Sequence, residues 1–527
     1  MIPGRRCFGG GLIPIGRTAG RRAASIPPMP IRVAMIASEC EPWAKTGGLA
    51  DVVDALARAL GQAATDELVL PVDVFLPRYR GVPEPAAVER TTTLRVPDPL
   101  APAGSTNVTV TDVAADGYRL RLIDHPAAFD RDGYYGDSVG DYADNAWRFG
   151  LFCRAALEAL RNDDRPLDVL HLHDWHTGPA AIARDEWYAD DPIIGKAAIL
   201  TTLHNLAYHG WTPRDRLGQL GLTPGDGVVG PRARGIDLLR VNIERAELVN
   251  TVSPGFAAEA LTPVFGMGLS SLLRTKGDRF TGILNGLDTT VWDPATDADL
   301  AAPYSREVRA GKAACRVDLL TRLGFDAQDD GPVIGMIGRL DPQKGFDLLA
   351  AASPKLLDQG VRLVVQGSGH PDLADPFRAI ASAHPRQVGF IERFDRAMAR
   401  RIYAGADFFA MPSRFEPCGQ GQMIALRYGT PPIVHRTGGL ADTVIDQGRR
   451  PVAGTGFVFD QPTAEDLLAA CTTAVAVRAA GGATWEALLD RGMAVDFDWV
   501  RGSAPRYLDA YRRAIEIRGR ALAGGSG

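Results

Sequence analysis

The sequence predicts an α/β protein in which two doubly wound parallel-sheet, Rossmann-like domains face each other across a deep cleft. Short apolar runs alternate with amphipathic helical patterns along most of the chain, as in parallel βαβ units. Two nearly identical nonapeptides, KTGGLADVV at 45–53 and RTGGLADTV at 436–444, each follow a strand pattern and lead into an apolar helical run. This duplication indicates two similar halves, whose strands would direct their carboxyl ends toward the cleft.

The composition is that of an ordinary globular protein. The 527 residues are 46% hydrophobic and 23% charged, with a formal net charge of −5. Because the body of the chain has no basic block and no apolar run of about 18 residues, we expect neither nucleic acid nor a membrane as a partner. The six cysteines are widely spaced without a CxxC pair, which indicates reduced thiols in a cytoplasmic protein rather than disulfides or a zinc site.

Residues 1–30 differ from the rest of the chain. They contain several arginines, glycines and prolines but no acidic residue, a composition shared with organelle transit peptides. The strand-like segment PIRVAMIAS follows directly, and the chain uses few lysines and many arginines. This bias favours a bacterial protein, so we interpret 1–30 as a disordered leader or a misassigned start.

The first domain is predicted at 31–286. Its parallel strands are expected at 31–38, 72–76, 169–173, 198–203 and 248–252, with helices between them. Between 89 and 125 the pattern changes to the alternating segments TTTLRV, NVTVTDV and YRLRLID. Alternation of this kind predicts β-hairpins inserted into the domain.

The second domain is predicted at 287–498, beginning in the segment LNGLD. Its strands are expected at 333–337, 363–366, 389–391, 408–411, 432–434 and 456–459. The pattern from 499 to 520 is helical. In two-domain folds of this kind, such a last helix crosses back onto the first domain.

Glu416 is expected at the carboxyl end of the strand at 408–411. A turn with Pro417 and Gly419 follows, and then a helix at about 420–428. Free N–H groups at the start of a helix point toward bound anions, so two such glycine-rich turns side by side predict a diphosphate site. Purely structural turns are the alternative, since glycine also supplies a positive φ.

Arg339 and Lys344 follow the strand VIGMI, within GRLDPQKG. Two cations at a strand end would bind a departing diphosphate more tightly as its charge develops, which lowers the barrier. The alternative is a pair of solvated loop charges.

Several segments together resemble the bacterial glycogen synthase and plant starch synthase family. They are KTGGLADVV, HDWH at 173–176, HNLAYHG from His204, LNGLD from Leu284, GRLDPQKG from Gly338, and SRFEPCG from Ser413 followed by RTGGLADTV. They occur in the family's order and cover about 31 to 511. The resemblance implies the two-domain glycosyltransferase fold called GT-B, with the acceptor mainly on the first domain and the nucleotide-sugar on the second.

The resemblance implies catalytic roles for five residues. Glu416 would hold the transferred glucose, Arg339 and Lys344 the diphosphate, and His204 and Asp174 the sugar near the reacting carbon. A helix cap for Glu416 and a core position for His204 are the alternatives. Related transferases often have a second glutamate eight residues after the first, where this chain has Ile424, in keeping with the family.

The resemblance also implies a set of substrate-binding residues: Lys45, Gly47, Gly48, Asp51, Asn205, Asn285, Phe394, Cys418, Gly419, Gln420, Gly421, Thr437, Gly438 and Gly439. Gly419–Gln420–Gly421 stands where relatives often have Gly-Leu-Thr, so a hydroxyl contact is lost. Phe394 stands where the family has a tyrosine on the adenine and would keep the stacking; core packing is the alternative. Aromatic residues in first-domain loops are candidates to line a glucan groove, with core packing as the alternative for some of them: Trp43, Tyr134, Tyr135, Trp175, Tyr208 and Trp211.

The predicted function is that of a glycogen synthase, which transfers α-glucose from ADP-glucose to the non-reducing 4-hydroxyl of an α-1,4-glucan with retention and releases ADP. No metal is expected at HDWH and no cofactor elsewhere, because such enzymes manage the leaving diphosphate with cations and backbone dipoles. Front-face displacement is favoured, since no second nucleophile is evident. A double displacement and a UDP-glucose donor stay open as alternatives.

Two other classes of protein fit parts of the pattern. A nicotinamide-dependent dehydrogenase would use a doubly wound sheet, but no GxGxxG opens a helix after a strand. A non-catalytic glucan-binding relative would lack Arg339, Lys344 or Glu416, and all three are present. The sequence makes no prediction of the oligomeric state.

Overall fold

The structure, a computed structural model, describes residues 30–63 and 67–524. The predicted leader lies outside the described residues except for Pro30. The strands of the described chain are β1 Val33–Ile36, β2 Val72–Pro77, β3 Val88–Pro97, β4 Ser105–Ala114, β5 Tyr118–Asp124, β6 Val169–His173, β7 Ala198–Leu203, β8 Trp211–Pro213, β9 Gly235–Asp237, β10 Leu248–Thr251, β11 Phe280–Gly282, β12 Val333–Leu340, β13 Arg362–Gly369, β14 Val388–Ile391, β15 Phe408–Met411, β16 Pro432–His435 and β17 Phe457–Phe459.

Helices connect most of these strands. They are α1 Gly48–Ala63, α2 Pro126–Phe129, α3 Asn145–Asn162, α4 Gly178–Glu186, α5 Leu238–Arg245, α6 Pro254–Ala260, α7 Ser270–Lys276, α8 Ala310–Arg322, α9 Phe346–Asp358, α10 Pro371–Ala383, α11 Arg396–Gly405, α12 Gly421–Arg427, α13 Gly438–Thr443, α14 Ala464–Ala480, α15 Gly482–Met493 and α16 Ala504–Gly524. Short 3₁₀ turns lie at Trp175–Thr177, Arg214–Leu220, Gly277–Arg279 and Pro342–Lys344, and a π-helical turn at Trp499–Ser503 precedes α16.

Two large sheets organise the described chain. The first has the strand order β11-β10-β7-β6-β1-β2-β5-β4-β3 and is parallel from β11 to β5. The second, β14-β13-β12-β15-β16-β17, is parallel throughout. The predicted α/β class with two doubly wound parallel sheets is therefore confirmed.

The central strands have no solvent-facing side because helices cover both faces of each sheet. Every residue of β1 (VAMI) and β7 (AILTTL) is buried. The edge strand β3 is different, since its threonines and arginines are mostly exposed and β4 is its one partner among the described strands. The segment predicted as hairpins thus extends the first sheet through the antiparallel pairs β3/β4 and β4/β5.

The chain passes between the two sheets twice, at neighbouring points. Leu287 forms a parallel bridge with Asp498, so the outgoing and returning segments lie side by side. Beyond Asp498, the side chains of Trp499, Tyr507 and Tyr511 belong to the hydrophobic core of the first sheet. The last helix α16 therefore packs on the first sheet.

Three short strands lack a sequence signal. β8 and β9 form a separate antiparallel pair, and β11 adds an edge to the first sheet. Each has only three residues, too few for an alternating pattern to be recognised. No single helix of the described ranges is long and apolar enough to cross a membrane, although α14 and α15 reach that length as a bent pair.

Candidate active site

The carboxyl ends of both sheets open onto one cavity of about 1070 Å³. The loops after β1, β6, β7 and β10 contribute Glu39, Asp174, His204 and Val252 from the first sheet. The second sheet contributes Arg339 from the end of β12, Lys344 from the 3₁₀ turn that follows, and Glu416 from the loop after β15. This is the edge at which open α/β sheets bind their ligands, and its size is suited to a drug-sized or larger ligand.

Arg339, Lys344 and Glu416 meet in this cavity. Lys344 Nζ donates to both carboxylate oxygens of Glu416, at 2.9 and 2.7 Å. Ser413 Oγ donates to the same carboxylate at 2.9 Å, and Glu416 is only 5% exposed. Arg339 is exposed and has no ion pair or hydrogen bond from its guanidinium to any described residue. The site therefore combines a paired ammonium with a free guanidinium.

The loop that carries Lys344 is fixed to the loop that carries Glu416. Asp341 caps the 3₁₀ turn by accepting from Gln343 N at 2.8 Å. The side chain of Gln343 donates to Phe415 O at 3.0 Å, and Arg414 N donates to Gln343 O at 2.8 Å. These bonds set the separation of the two charged side chains.

The turn at Cys418, Gly419, Gln420 and Gly421 lines the cavity and leads into α12. Gly419 has φ +74°, a left-handed conformation, and an added Cβ there would lie 2.6 Å from Gln422 Oε1, so only glycine fits without strain. Burial raises the pKa of the Cys418 thiol to about 12. Cys418 is therefore an unreactive thiol in the cavity wall.

Asp174 has a strained backbone. Its φ of 55° and ψ of −169° lie in a region that residues other than glycine rarely adopt, at a cost of about 1–3 kcal/mol. Asp174 N donates to Thr202 O at 3.1 Å, and its carbonyl accepts from Asn242 Nδ2 at 3.0 Å. The surrounding strands thus hold Asp174 in this conformation.

The Asp174 carboxylate fixes the next loop. Asp174 Oδ1 accepts from His204 N at 2.7 Å, which joins the ends of β6 and β7. Burial raises the pKa of Asp174 to about 7, although backbone N–H groups of His204 and Asn205 oppose this shift. His204 is partly exposed and lines the cavity beside Asn205, so it is not a core histidine. Asn285 also lines the cavity, and its buried Oδ1 has no hydrogen bond within the described part of the chain.

The two duplicated turns are held in the same way, each by a glutamate. Glu39 accepts from Thr46 N, Thr46 Oγ1 and Gly47 N at 2.6, 2.6 and 3.0 Å. Glu259 accepts from Thr437 Oγ1 at 2.9 Å and from Gly438 N at 2.8 Å. Each turn therefore binds an anion, but in this structure the anion is a carboxylate of the same chain.

The Glu259 contact joins the two halves of the molecule. Glu259 lies on α6 beside the first sheet, and its partners begin α13 beside the second sheet. Ser253 Oγ donates to Pro417 O at 2.6 Å and Gly255 N to Asp442 Oδ2 at 2.7 Å across the same contact. We call this contact the α6–α13 clasp.

Most of the predicted site residues converge, and six lie outside the cavity wall. Gly47 and Gly48 line the cavity with the residues described above. The others are Lys45, Asp51, Phe394, Thr437, Gly438 and Gly439, which do not line it. Lys45 Nζ pairs with Asp51 at 2.6 Å, and Phe394 is 75% exposed, so the alternative of core packing for Phe394 is wrong. The roles of these residues remain predictions.

The predicted aromatic residues divide into two groups. Tyr208 and Trp211 line the cavity with 62% and 57% of their surfaces exposed. Tyr135 and Trp175 also line it but pack against His176. The remaining two, Trp43 and Tyr134, do not line it and pack at the edge of the core.

No group of three or more His, Cys, Asp and Glu side chains is placed to hold a metal ion within the described ranges. The histidines of the HDWH segment contact aromatic rings and other histidines instead.

Sequence reasoning missed Glu39 and Glu259. Glu39 follows β1 and precedes its turn by a few residues, so the position of an acid at a strand end was an available signal. Glu259 reaches a turn that is far away in the sequence, and no local pattern indicates such a contact.

The two facing sheets, and the cavity between them that brings Arg339 and Lys344 together with Glu416, are the features of a two-domain glycosyltransferase. Residues 32–275 match the family described as starch synthase catalytic domain, and residues 324–477 match glycosyl transferases group 1. The chain belongs to the glycogen synthase and starch synthase family, and the predicted GT-B fold is confirmed.

Relatives cover nearly all of the chain. It is 40% identical over 497 residues to a glycogen synthase of Syntrophotalea carbinolica and 41% identical over 489 residues to one of Anaeromyxobacter dehalogenans. Each alignment spans 92% of this chain and 99% of the relative. The catalytic domain of starch synthase IV from Arabidopsis thaliana, solved with ADP and acarbose bound, is similar with a TM-score of 0.82 and 32% identity, over 92% of this chain and 100% of that one.

Proposed function

We propose that this protein transfers α-glucose from ADP-glucose to the non-reducing 4-hydroxyl of an α-1,4-glucan, with retention of configuration and release of ADP, in glycogen synthesis. The observation that carries the proposal is the meeting of Arg339, Lys344 and Glu416 with His204 and Asp174 around one cavity. Relatives named glycogen synthase and a starch synthase structure with ADP support the substrates.

Arg339 and Lys344 hold the diphosphate in this proposal. Arg339 has no partner to give up among the described residues, so its guanidinium is available for bidentate contact with phosphate oxygens. Lys344 is 23% exposed and forms an ion pair with Glu416, which is nearly buried. As charge develops on the leaving diphosphate, both cations would stabilise it more strongly than they stabilise the bound donor.

The reaction proposed is a front-face displacement. The leaving phosphate oxygen accepts the proton of the incoming 4-hydroxyl while the new glycosidic bond forms on the face that the phosphate leaves. Asp174 is a poor candidate for the nucleophile of a double displacement, because its Oδ1 accepts from His204 N and its pKa near 7 leaves it partly protonated at neutral pH. Glu416 is engaged by Lys344 and Ser413.

The remaining predicted residues have supporting roles in the proposal. Gly47, Gly48, Asn205, Asn285 and the turn from Cys418 to Gly421 contact the donor. Closure of the two domains would bring Lys45, Asp51 and Phe394 toward it. Thr437, Gly438 and Gly439 are retained as a second candidate anion site, which the phosphates would share with Glu259.

The domain limits are proposed as 31–286 and 287–498, with 499–520 returning to the first domain. The two family matches, which end at 275 and begin at 324, support a division between them. The free, widely spaced cysteines of the described chain support a cytoplasmic site of action.

A transfer assay tests the proposal. The protein is incubated with glycogen and either ADP-[¹⁴C]glucose or UDP-[¹⁴C]glucose, and label in precipitated glycogen is counted. We expect efficient transfer from ADP-glucose only, with α-1,4 linkages in the product by NMR. Equal or greater transfer from UDP-glucose would contradict the donor assignment, β linkages would contradict retention, and no transfer from either would contradict the activity.

A further inference from the structure

Three histidines form a stack that leads from the last helix to the cavity. The ring centroids of His171 and His173 are 4.1 Å apart, and those of His173 and His204 are 5.3 Å apart. His171 and His173 have no exposed surface, whereas His204 lines the cavity. The stack connects Tyr511 of α16 to a residue of the candidate site.

The hydrogen bonds of His171 determine its tautomer. Thr202 Oγ1 donates its only proton to Asn250 Oδ1 at 2.7 Å, so it must accept the 2.7 Å bond from His171 Nε2. His171 Nδ1 then carries a lone pair and accepts from the Tyr511 hydroxyl at 2.9 Å. The hydrogen bonds at both ring nitrogens thus fix His171 as the tautomer that carries its proton on Nε2.

His173 and His204 share one proton between two nitrogens. His173 Nδ1 lies 3.0 Å from His204 Nε2, so one of them donates and the other accepts. His173 Nε2 is buried and has no hydrogen bond to any residue of the described ranges. If His204 Nε2 donated, the proton of His173 would be on its Nε2, and this N–H would be buried without a partner. If His173 Nδ1 donates instead, His173 Nε2 carries only a lone pair.

The second arrangement costs less. Buried N–H groups without a partner are rarer than buried acceptors without one. In that arrangement His204 accepts at Nε2 and carries its proton at Nδ1, the nitrogen with no bond to another described residue. Burial lowers the pKa of His204 to about 3 and that of His173 well below its usual value, so neither ring gains a second proton near neutral pH.

We propose that His173 is a positioning residue that fixes His204 as a neutral hydrogen-bond donor, with its Nδ1–H available to an acceptor oxygen of a substrate in the cavity. His171, locked between Thr202 and Tyr511, holds the His173 ring in place by stacking. His204 in this state donates a hydrogen bond and does not act as a general base through Nδ1. The tautomer follows from contacts within the chain, and only its consequence for turnover rests on the proposed function.

The tautomer can be read directly without substrate. The chain has nine histidines, and long-range ¹H–¹⁵N correlation of ¹⁵N-histidine-labelled full-length protein distinguishes protonated from bare ring nitrogens. A His204→Gln sample assigns the signal. We expect a protonated Nδ1 and a bare Nε2 for His204 in the wild type. A protonated Nε2 with a bare Nδ1, or two protonated nitrogens, would overturn the proposal.

Variants of His173 test the consequence for turnover. Asparagine places an amide N–H near the position of His173 Nδ1, and leucine has no donor. We expect His173→Leu to lower kcat about tenfold or more with a smaller change in the donor KM, and His173→Asn to retain most of kcat. Leu172→Ala, buried on the same strand with its side chain on the face opposite to His171 and His173, controls for stability and should leave kcat unchanged.

The outcomes separate the two proposals. Equal losses in His173→Leu and His173→Asn, at matched unfolding temperatures, would show a merely structural role and overturn the positioning proposal. Absence of any glucosyl transfer by the wild type would contradict the proposed function alone, since the NMR result on the free protein stands independently.

Discussion

At the scale of single residues, pairing decides which predicted groups are free to meet a ligand. Lys344, Lys45 and Glu416 have partners within the chain, whereas Arg339 has none among the described residues. The sequence identified these side chains from their positions after strands. It did not reveal their pairing, because Lys344 and Glu416 lie on different loops that only the folded sheet brings within 2.7 Å.

Replacing Arg339 by alanine tests the free cation. We expect kcat/KM for ADP-glucose to fall by roughly 10²–10³-fold, the loss that follows removal of one preorganised charge stabiliser. The unfolding temperature should not change, because Arg339 is exposed and unpaired within the described chain. Lys355→Ala, an exposed lysine on α9, is the matched control. Undiminished turnover in the folded Arg339 variant would exclude the phosphate role.

Replacing Lys344 by alanine should lower activity and also stability. Among the described residues, Glu416 would then be left nearly buried with only Ser413 as a side-chain partner, which costs roughly 1–3 kcal/mol. Adding Glu416→Gln removes the unpaired charge, so the double variant should recover most of the stability and none of the activity. Urea denaturation of the wild type, Lys344→Ala and the double variant measures these stabilities. A double variant no more stable than Lys344→Ala would argue against the ion pair between Lys344 and Glu416.

Asp174 should make stability depend on pH. Its pKa is raised to about 7 in the folded state by burial, against about 3.9 in an unfolded chain. Between these values the folded state holds a proton that the unfolded state has lost, so this group's contribution to stability falls as pH rises from about 4 to 7 and is level above. Asp174→Asn keeps an acceptor for His204 N and lacks this dependence.

The difference in unfolding temperature between Asp174→Asn and the wild type should therefore grow from pH 5 to pH 7 in favour of the variant. Thermal unfolding followed by circular dichroism measures it. A difference that is constant with pH, or that favours the wild type increasingly as pH rises, would contradict the raised pKa.

At the scale of elements, the positions of the strands were predictable, although β12 and β13 each end three residues later than predicted. The contacts between loops were not predictable. β15 begins and ends where predicted, and β6 and β7 also match, since continuous apolar runs mark strands buried on both faces. The two TGG turns were predicted as sites for a diphosphate, and in the structure each binds a carboxylate of the same chain. Their carboxylate partners Glu39 and Glu259 come from tertiary packing, which periodicity does not encode.

The α6–α13 clasp should contribute to stability through Glu259. Alanine at this position leaves Gly438 N and Thr437 Oγ1 without their acceptor, and we expect the free energy of unfolding to fall by about 1–3 kcal/mol. Glu516→Ala, which removes an exposed ion pair with Arg520, should change it by less than about 0.5 kcal/mol. If both variants unfold at the same denaturant concentration, the clasp has no energetic role.

At the scale of the whole molecule, duplication of a turn and alternation of strands with helices were enough to predict two facing doubly wound sheets. The cavity follows from that arrangement, because both sheets turn their carboxyl ends inward. The strained backbone of Asp174 and the histidine stack that reaches α16 depend on side chains from distant segments. No feature of the sequence around these residues predicts either one.

The most direct test of this account is a crystal structure of the protein with ADP. We predict the diphosphate in the cavity between the sheets, with phosphate oxygens at about 3 Å from the Arg339 guanidinium and Lys344 Nζ. A diphosphate bound elsewhere, with Arg339 and Lys344 free of contact, would contradict the account.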